Sequence, residues 1–208
     1  MFKRLAIIQI ILLTFQVVLY FGCEKFQHNP HNVERPIDRY IPFIPATAII
    51  YSLWFPLIAV YPIALYYSSP LLYEKYMVIM VVEIILSVLC YLVYPTTFTR
   101  PVPPNSLWGK SMKLIYKASY KGLNCAPSLH CSSCFLIIFI TLTCPNMSLA
   151  LSLTFVIIAF LVVVSTLTTK QHTVIDLVSA LFLFIVCLIL YKFIPEGWFI
   201  PVMNFIKG

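Results

Sequence analysis

Apolar residues come in long unbroken runs along this chain, separated by short polar or proline-marked breaks. Six runs, roughly 5–22, 47–67, 76–94, 129–143, 148–166 and 174–194, carry few or no charges. About 20 apolar residues are needed to cross a hydrocarbon core of about 30 Å as a helix, and most of the six come close to that length. The pattern predicts an all-α fold, a single membrane domain over residues 1–208 built as a six-helix transmembrane bundle. Pro56 and Pro62 fall inside the second run, where neighbouring helices can accommodate them. Pro70, Pro95 and the Pro145-Asn146 pair mark breaks. The fourth and fifth runs are joined by so short a link that they should be antiparallel neighbours.

Threading the six runs places the ends of one, three and five and the starts of two, four and six on one side. Both long loops, 23–46 and 95–128, lie on that side. The second loop carries lysines at 110, 113, 117 and 121, which a helix would align on one face. Leu114, Ile115 and Tyr116 would then rest in the membrane interface; a solvated basic loop is the alternative. In the first loop Asp38 and Arg39 share the same side and could cover the mouth of the bundle. Trp54, Trp108 and Trp198 read as interface anchors.

Composition narrows the function. With 61% hydrophobic and 10% charged residues, the chain is not a soluble globular domain, and no soluble basic domain offers itself to nucleic acid. The formal charge of +7, concentrated in loops, points instead to anionic lipid headgroups, a phosphorylated substrate or simple topology signals. The seven cysteines are odd in number and several sit in apolar runs, so they define no disulfide framework. Cys131 and Cys134 have metal-ligand spacing, but no second ligand pair accompanies them, and neither a metal nor another cofactor is expected. The first run lacks a small-residue cleavage site and reads as a retained anchor. Lys3 and Arg4 favour an internal N-terminus, hence a mouth on the external, periplasmic or lumenal face. Nine of the 14 Lys and Arg residues nevertheless fall on the mouth side, against the positive-inside rule. Substrate-binding cations there would reconcile the two.

Ionisable residues at membrane-helix ends suggest function by default. Two stretches place them on the mouth side: Ala126-Pro127-Ser128-Leu129-His130, and Lys170-Gln171-His172-Thr173-Val174-Ile175-Asp176. His172 and Asp176, spaced i,i+4, would share a helix face, the carboxylate holding the ring Nδ1 proton so that Nε2 is the nucleophile. His130 follows Ser128, a natural N-cap, where the helix-start amides from Leu129 onward suit a phosphate. Arg100 adds a forked cation, and Lys170 a second. Together these describe in-line phosphoryl transfer through a phosphohistidine at His172, with Asp176 steadying the imidazolium and His130 protonating the leaving oxygen. Glu83, mid-run and about three helical turns below the mouth, reads as a structural hydrogen-bonding group facing the bundle interior.

These stretches resemble the type 2 phosphatidic-acid phosphatase and haloperoxidase superfamily, whose pattern is Lys-x6-Arg-Pro, Pro-Ser-Gly-His and Ser-Arg-x5-His-x3-Asp. Here the counterparts are Arg100-Pro101, then Pro127-Ser128-Leu129-His130, then Ser165-Thr166 followed by His172 and Asp176. The resemblance covers about residues 94–180. It implies a six-span membrane lipid-phosphate phosphatase with His172 as nucleophile, His130 as acid, Asp176 as partner of His172, and an external or lumenal site. Three positions depart from the pattern: Val93 stands where the first lysine would be, Leu129 replaces the glycine, and Thr166 replaces the arginine. Lys170 could supply the missing cation. Pro-Ser-Leu-His also resembles the sphingolipid-synthase branch, including inositol phosphorylceramide and sphingomyelin synthases, which passes its phosphoryl headgroup to an alcohol. A third reading, a non-enzymatic transporter with a histidine relay, would need polar residues continuing through the bilayer, and only Glu83 and scattered Ser and Thr offer that.

Overall fold

The structure is a computed structural model that describes residues 1–119, 122–193 and 198–208. Lys121, the last of the loop lysines, and residue 194, the expected end of the sixth run, lie outside the described residues. The chain forms an all-α membrane-type bundle, with five helical stretches long and apolar enough to cross a membrane.

Helix α1 spans Phe2–Cys23. A short 3-10 turn, Pro36–Tyr40, follows in the first loop, and a second, Pro45–Thr47, leads into α2, Ala48–Ser52, and α3, Trp54–Ser68. The second apolar run is therefore one stretch, Pro45–Ser68, with a bend at Leu53 between its two helices. Helix α4 spans Pro70–Val93. It begins six residues before the expected 76, because Pro70 is the first helical residue, not a break: proline there sacrifices no intrahelical bond, and Ser69 Oγ caps by accepting from the amide of Leu72.

Helix α5, Leu107–Ala118, makes the basic segment of the second loop helical. Ser106 caps it, and Gly109 is required beside it, since a Cβ there would meet the Pro104 carbonyl oxygen at 1.8 Å. Helix α6, Leu129–Leu142, α7, Leu149–Thr168, and α8, Val174–Tyr191, complete the membrane portion; α9, Ile200–Lys207, closes back on α1, where Arg4 donates to the Phe205 carbonyl.

At 14 residues α6 reaches only about 21 Å, short of a hydrocarbon core. It is instead the buried axis of the bundle, packed against α4, α7 and α8, with Leu136 and Ile137 fully buried. Glu83 of α4 points into this packing, 1% exposed, with its carboxyl facing Ser132 of α6. The outer faces are apolar, as a lipid-facing surface requires: Ile10 and Val18 on α1, Leu149 on α7 and Phe182 on α8 are all well exposed.

The two long loops meet at one end. His31–Asn32 (β1) pairs in parallel with Thr96–Thr97 (β2), in the register His31 to Thr96, and the His31 ring stacks on Tyr94 at 4.3 Å. This small sheet fixes the loop entering α6 against the loop leaving α1.

Candidate functional site

The second histidine stretch is shaped by how α7 ends and α8 begins. At the end of α7 the amide of Gln171 donates to the Thr166 carbonyl (3.0 Å) and that of Lys170 to the Leu167 carbonyl (3.1 Å). That bond pair is a Schellman motif, and Lys170 occupies its left-handed position with φ 52°. Glycine is the usual residue there. Three residues later α8 starts in a capping box: Thr173 Oγ1 accepts from the amide of Asp176, and Asp176 Oδ2 accepts from the amide of Thr173 at 2.8 Å.

His172 therefore does not share a helix face with Asp176. It precedes the Thr173 N-cap, and Asp176 reaches back to it from the first turn of α8. Asp176 Oδ2 stands 3.3 Å from His172 Nδ1, and the carbonyl of Cys125 is 3.2 Å from the same nitrogen. Two acceptors at Nδ1 hold the proton on that atom and leave the lone pair on Nε2. Burial raises the Cys125 thiol above its usual range, so the residue serves through its backbone carbonyl. Asp176 is fully buried and its Oδ1 has no partner among the described residues.

His172 Nε2 faces His130 Nδ1 at 3.4 Å, so the chain brings the two histidines together. His130 lies in the first turn of α6, which Ser128 caps by accepting from the amide of Cys131. The loop before it is held from three sides. Tyr91 of α4, fully buried, donates to the Pro127 carbonyl at 2.6 Å. The Ser128 amide donates to the Asp176 carbonyl, and Asn124, in a left-handed conformation, donates to the Tyr20 carbonyl at the end of α1.

The His130 ring lies against Tyr51, stacked at 4.7 Å, and against Trp54, tilted at 4.2 Å. Trp54 Nε1 donates to Ser133 Oγ at 2.8 Å. Trp54 is thus an internal wall of the site, 7% exposed, and not the interface anchor its position suggests. Trp108 and Trp198 are exposed. Residues 51 and 54 are an i,i+3 aromatic pair at the mouth-side start of the second run, which is the signal that would have singled them out.

A polar cleft of about 510 Å³ opens onto His172, lined among others by Arg39, Arg100, Lys170 and Thr173. Arg100 is held by the Ser119 carbonyl (2.7 Å), by Gln171 Oε1 (3.4 Å) and by the Tyr116 ring, 5.0 Å from its guanidinium carbon. Burial pushes the Tyr116 hydroxyl up to about 12, so it stays protonated beside this cation. Lys170 Nζ donates to the Asp38 carbonyl at 2.6 Å. Asp38 in turn accepts from the amides of Arg35 (2.7 Å) and Val174 (2.8 Å), fastening the first loop over the start of α8.

The departures from the family pattern have a structural counterpart. Val93 is 83% exposed on the outside of α4, so no cation could reach the cleft from there. Thr166 is fully buried behind His172, its carbonyl accepting from the amides of both Gln171 and His172. Leu129 turns its side chain into a second cavity, of about 370 Å³, lined mainly by apolar residues of α1, α2 and α3 and reaching His130 from the other side. Among the described residues no group of three or more His, Cys, Asp or Glu is placed to hold a metal ion.

The arrangement has a nitrogen lone pair backed by a carboxylate, a second imidazole beside it, and Arg39, Arg100 and Lys170 at the adjoining cleft beside Glu34 and Asp38, which suits attack on phosphorus. A comparison with curated proteins and one with solved structures each give no match. A family model described as the PAP2 superfamily matches residues 24–190, which takes in both histidine stretches, Arg100 and the first loop. The chain belongs to the PAP2 superfamily, a family of phosphatases and phosphotransferases.

Proposed function

We propose that the protein is an integral membrane phosphatase that hydrolyses a lipid phosphate or diphosphate through a covalent phosphohistidine. The observation that carries this is His172: acceptors hold its Nδ1 proton on one side while Nε2 points to His130 on the other.

In the first step the Nε2 lone pair attacks phosphorus, and the bond from phosphorus to the lipid oxygen breaks. The departing electron pair stays on that oxygen, which takes a proton from His130 and leaves as the lipid alcohol. The 3.4 Å contact between the histidines has to open for phosphorus to enter. Arg100 and Lys170, which line the cleft with His172, and the first amides of α6, from Leu129 onward, are assigned to stabilise charge building on the phosphoryl oxygens, with Ser128 capping the turn that presents those amides. In the second step water attacks the phosphohistidine, gives its proton to His130, and the nitrogen–phosphorus bond breaks. The active face is assigned to the external, periplasmic or lumenal side, consistent with Lys3 and Arg4 at the opposite end of α1.

A second reading has its own support. His130 is 8% exposed and borders the apolar cavity, a setting suited to transfer to a lipid alcohol in place of water. Phosphate release measured against formation of a new phosphodiester separates the two.

The test is substitution of the nucleophile in purified protein. His172→Ala is expected to abolish turnover and the acid-labile, base-stable phosphoenzyme trapped in the wild type. Full activity in His172→Ala would sink the mechanism.

A further inference from the structure

The two cavities meet the histidine pair from opposite sides. The polar cleft touches His172 and not His130; the apolar cavity touches His130 and not His172. If His130 protonates the leaving oxygen, the departing part of the substrate lies on its side, in the apolar cavity.

Nearly all of that cavity's wall is apolar or aromatic, including Leu13, Val17, Phe21, Phe55 and Ile58. Gln16 is the exception on α1. It is 92% buried by its 8% exposure, lines the cavity, and among the described residues has no hydrogen-bond partner. Gln9, seven residues earlier on the same face of α1, lines no such cavity: its Nε2 donates to the Ile58 carbonyl at 2.9 Å and ties α1 to α3, while its Oε1 has no partner among the described residues. An amide that faces a mainly apolar, ligand-sized cavity without a partner among the described residues points to a group that arrives with the ligand.

Depth selects that group. Gln16 lies seven residues before the end of α1, about 10 Å below the mouth. A lipid with its phosphorus at His172 and its chains in the cavity would pass its neck by this amide.

We propose that Gln16 is a specificity residue that donates a hydrogen bond to an acyl carbonyl a few bonds from the phosphoester oxygen. The substrate is then a lipid phosphate carrying an ester or amide in its neck, and not an isoprenoid or simple alkyl phosphate. This rests on the phosphatase reading for the placement of the leaving group. A site that hydrogen-bonds a substrate group discriminates strongly against the analogue lacking it, because its own polar group is then left buried and unpaired.

The test compares phosphatidate with its diether analogue of equal chain length, which lacks only the two carbonyls, and includes ceramide phosphate to separate amide from ester. Turnover is followed in wild-type protein, and equilibrium binding in His172→Ala protein. Wild type is expected to favour the diester over the diether by about tenfold in kcat/KM, the effect of one buried hydrogen bond. Gln16→Leu is expected to bring that ratio to about one, whereas Gln9→Leu lowers thermal stability and keeps the ratio. Because the wild-type comparison needs no variant, poor folding of Gln16→Leu would not block the test. Equal turnover and equal binding of diester and diether in the wild type overturns the proposal. Absence of turnover on every lipid, with the binding preference retained, supports it and removes the phosphatase reading.

Discussion

The indole of Trp54 lies 4.2 Å from the imidazole of His130, centroid to centroid, while its Nε1 donates to Ser133 Oγ one helical turn further along α6. The same residue thus touches the ring proposed to carry a proton and pins the helix that presents it. An aromatic face favours a nearby cation by about 0.5–2 kcal/mol, more when water is excluded. Trp54→Leu is expected to lower kcat by about tenfold with the fold retained, and Trp54→Phe by less, since it keeps a ring and loses only the bond to Ser133. Steady-state kinetics beside circular dichroism checks this.

Tyr91 holds the Pro127 carbonyl from α4, 36 residues earlier in the chain. Tyr91→Phe leaves that buried carbonyl without its donor, at a cost of about 1–3 kcal/mol. The expected outcome is a lower unfolding temperature in detergent together with reduced kcat, because Ser128 and His130 follow directly in the chain. An unchanged unfolding temperature would show that the bond contributes nothing.

Asp176→Asn keeps an oxygen able to accept from the Thr173 amide, so α8 should still form. The same Oδ2 faces His172 Nδ1, so the retained oxygen keeps both contacts while the negative charge that steadies the imidazolium is lost. A fall in kcat of about 10- to 100-fold is expected, the difference between a hydrogen bond to a charged acceptor and one to a neutral acceptor. Phosphoenzyme trapping should show slower formation with normal folding.

Lys170 holds a left-handed backbone position and sends a cation to the cleft, and substitution can separate the two roles. Lys170→Gly relieves the backbone while removing the amine and its bond to the Asp38 carbonyl. Thermal stability near or above wild type with a rise in KM for the phosphorylated lipid is expected. Lys170→Ala should lose both stability and affinity.

Arg100 donates through both terminal nitrogens to fixed acceptors, the Ser119 carbonyl and Gln171. Lysine cannot reproduce that fork. Arg100→Lys is expected to reduce kcat/KM by about 10- to 100-fold, measured on the same lipid phosphate, with charge conserved.

Much of the site was legible because its parts are local in sequence. A serine before an apolar run implies a capped helix start, and histidines at the ends of apolar runs stand out against so few polar residues. The lysine spacing at 110, 113 and 117 foreshadowed α5. The His172–Asp176 spacing suggested the right partner by the wrong geometry, since the helix starts only at Val174 and a capping box supplies the contact. Nothing local distinguishes Tyr91 from the many other aromatic residues, because what it does depends on a loop 36 residues further along the chain.

The sequence by itself determined the membrane class, the all-α fold and the gathering of both long loops and both histidines at one end of the bundle, because hydropathy and capping act within a few residues. Only the tertiary structure decided that α6 is a short buried axis, that Thr166 and Val93 stand away from the cleft, that Tyr91 and Trp54 brace His130, and that a polar cleft and an apolar cavity flank the histidine pair. Those features arise from packing among helices distant in the chain, where side-chain shape and unpaired polar groups select contacts that no spacing along the sequence records.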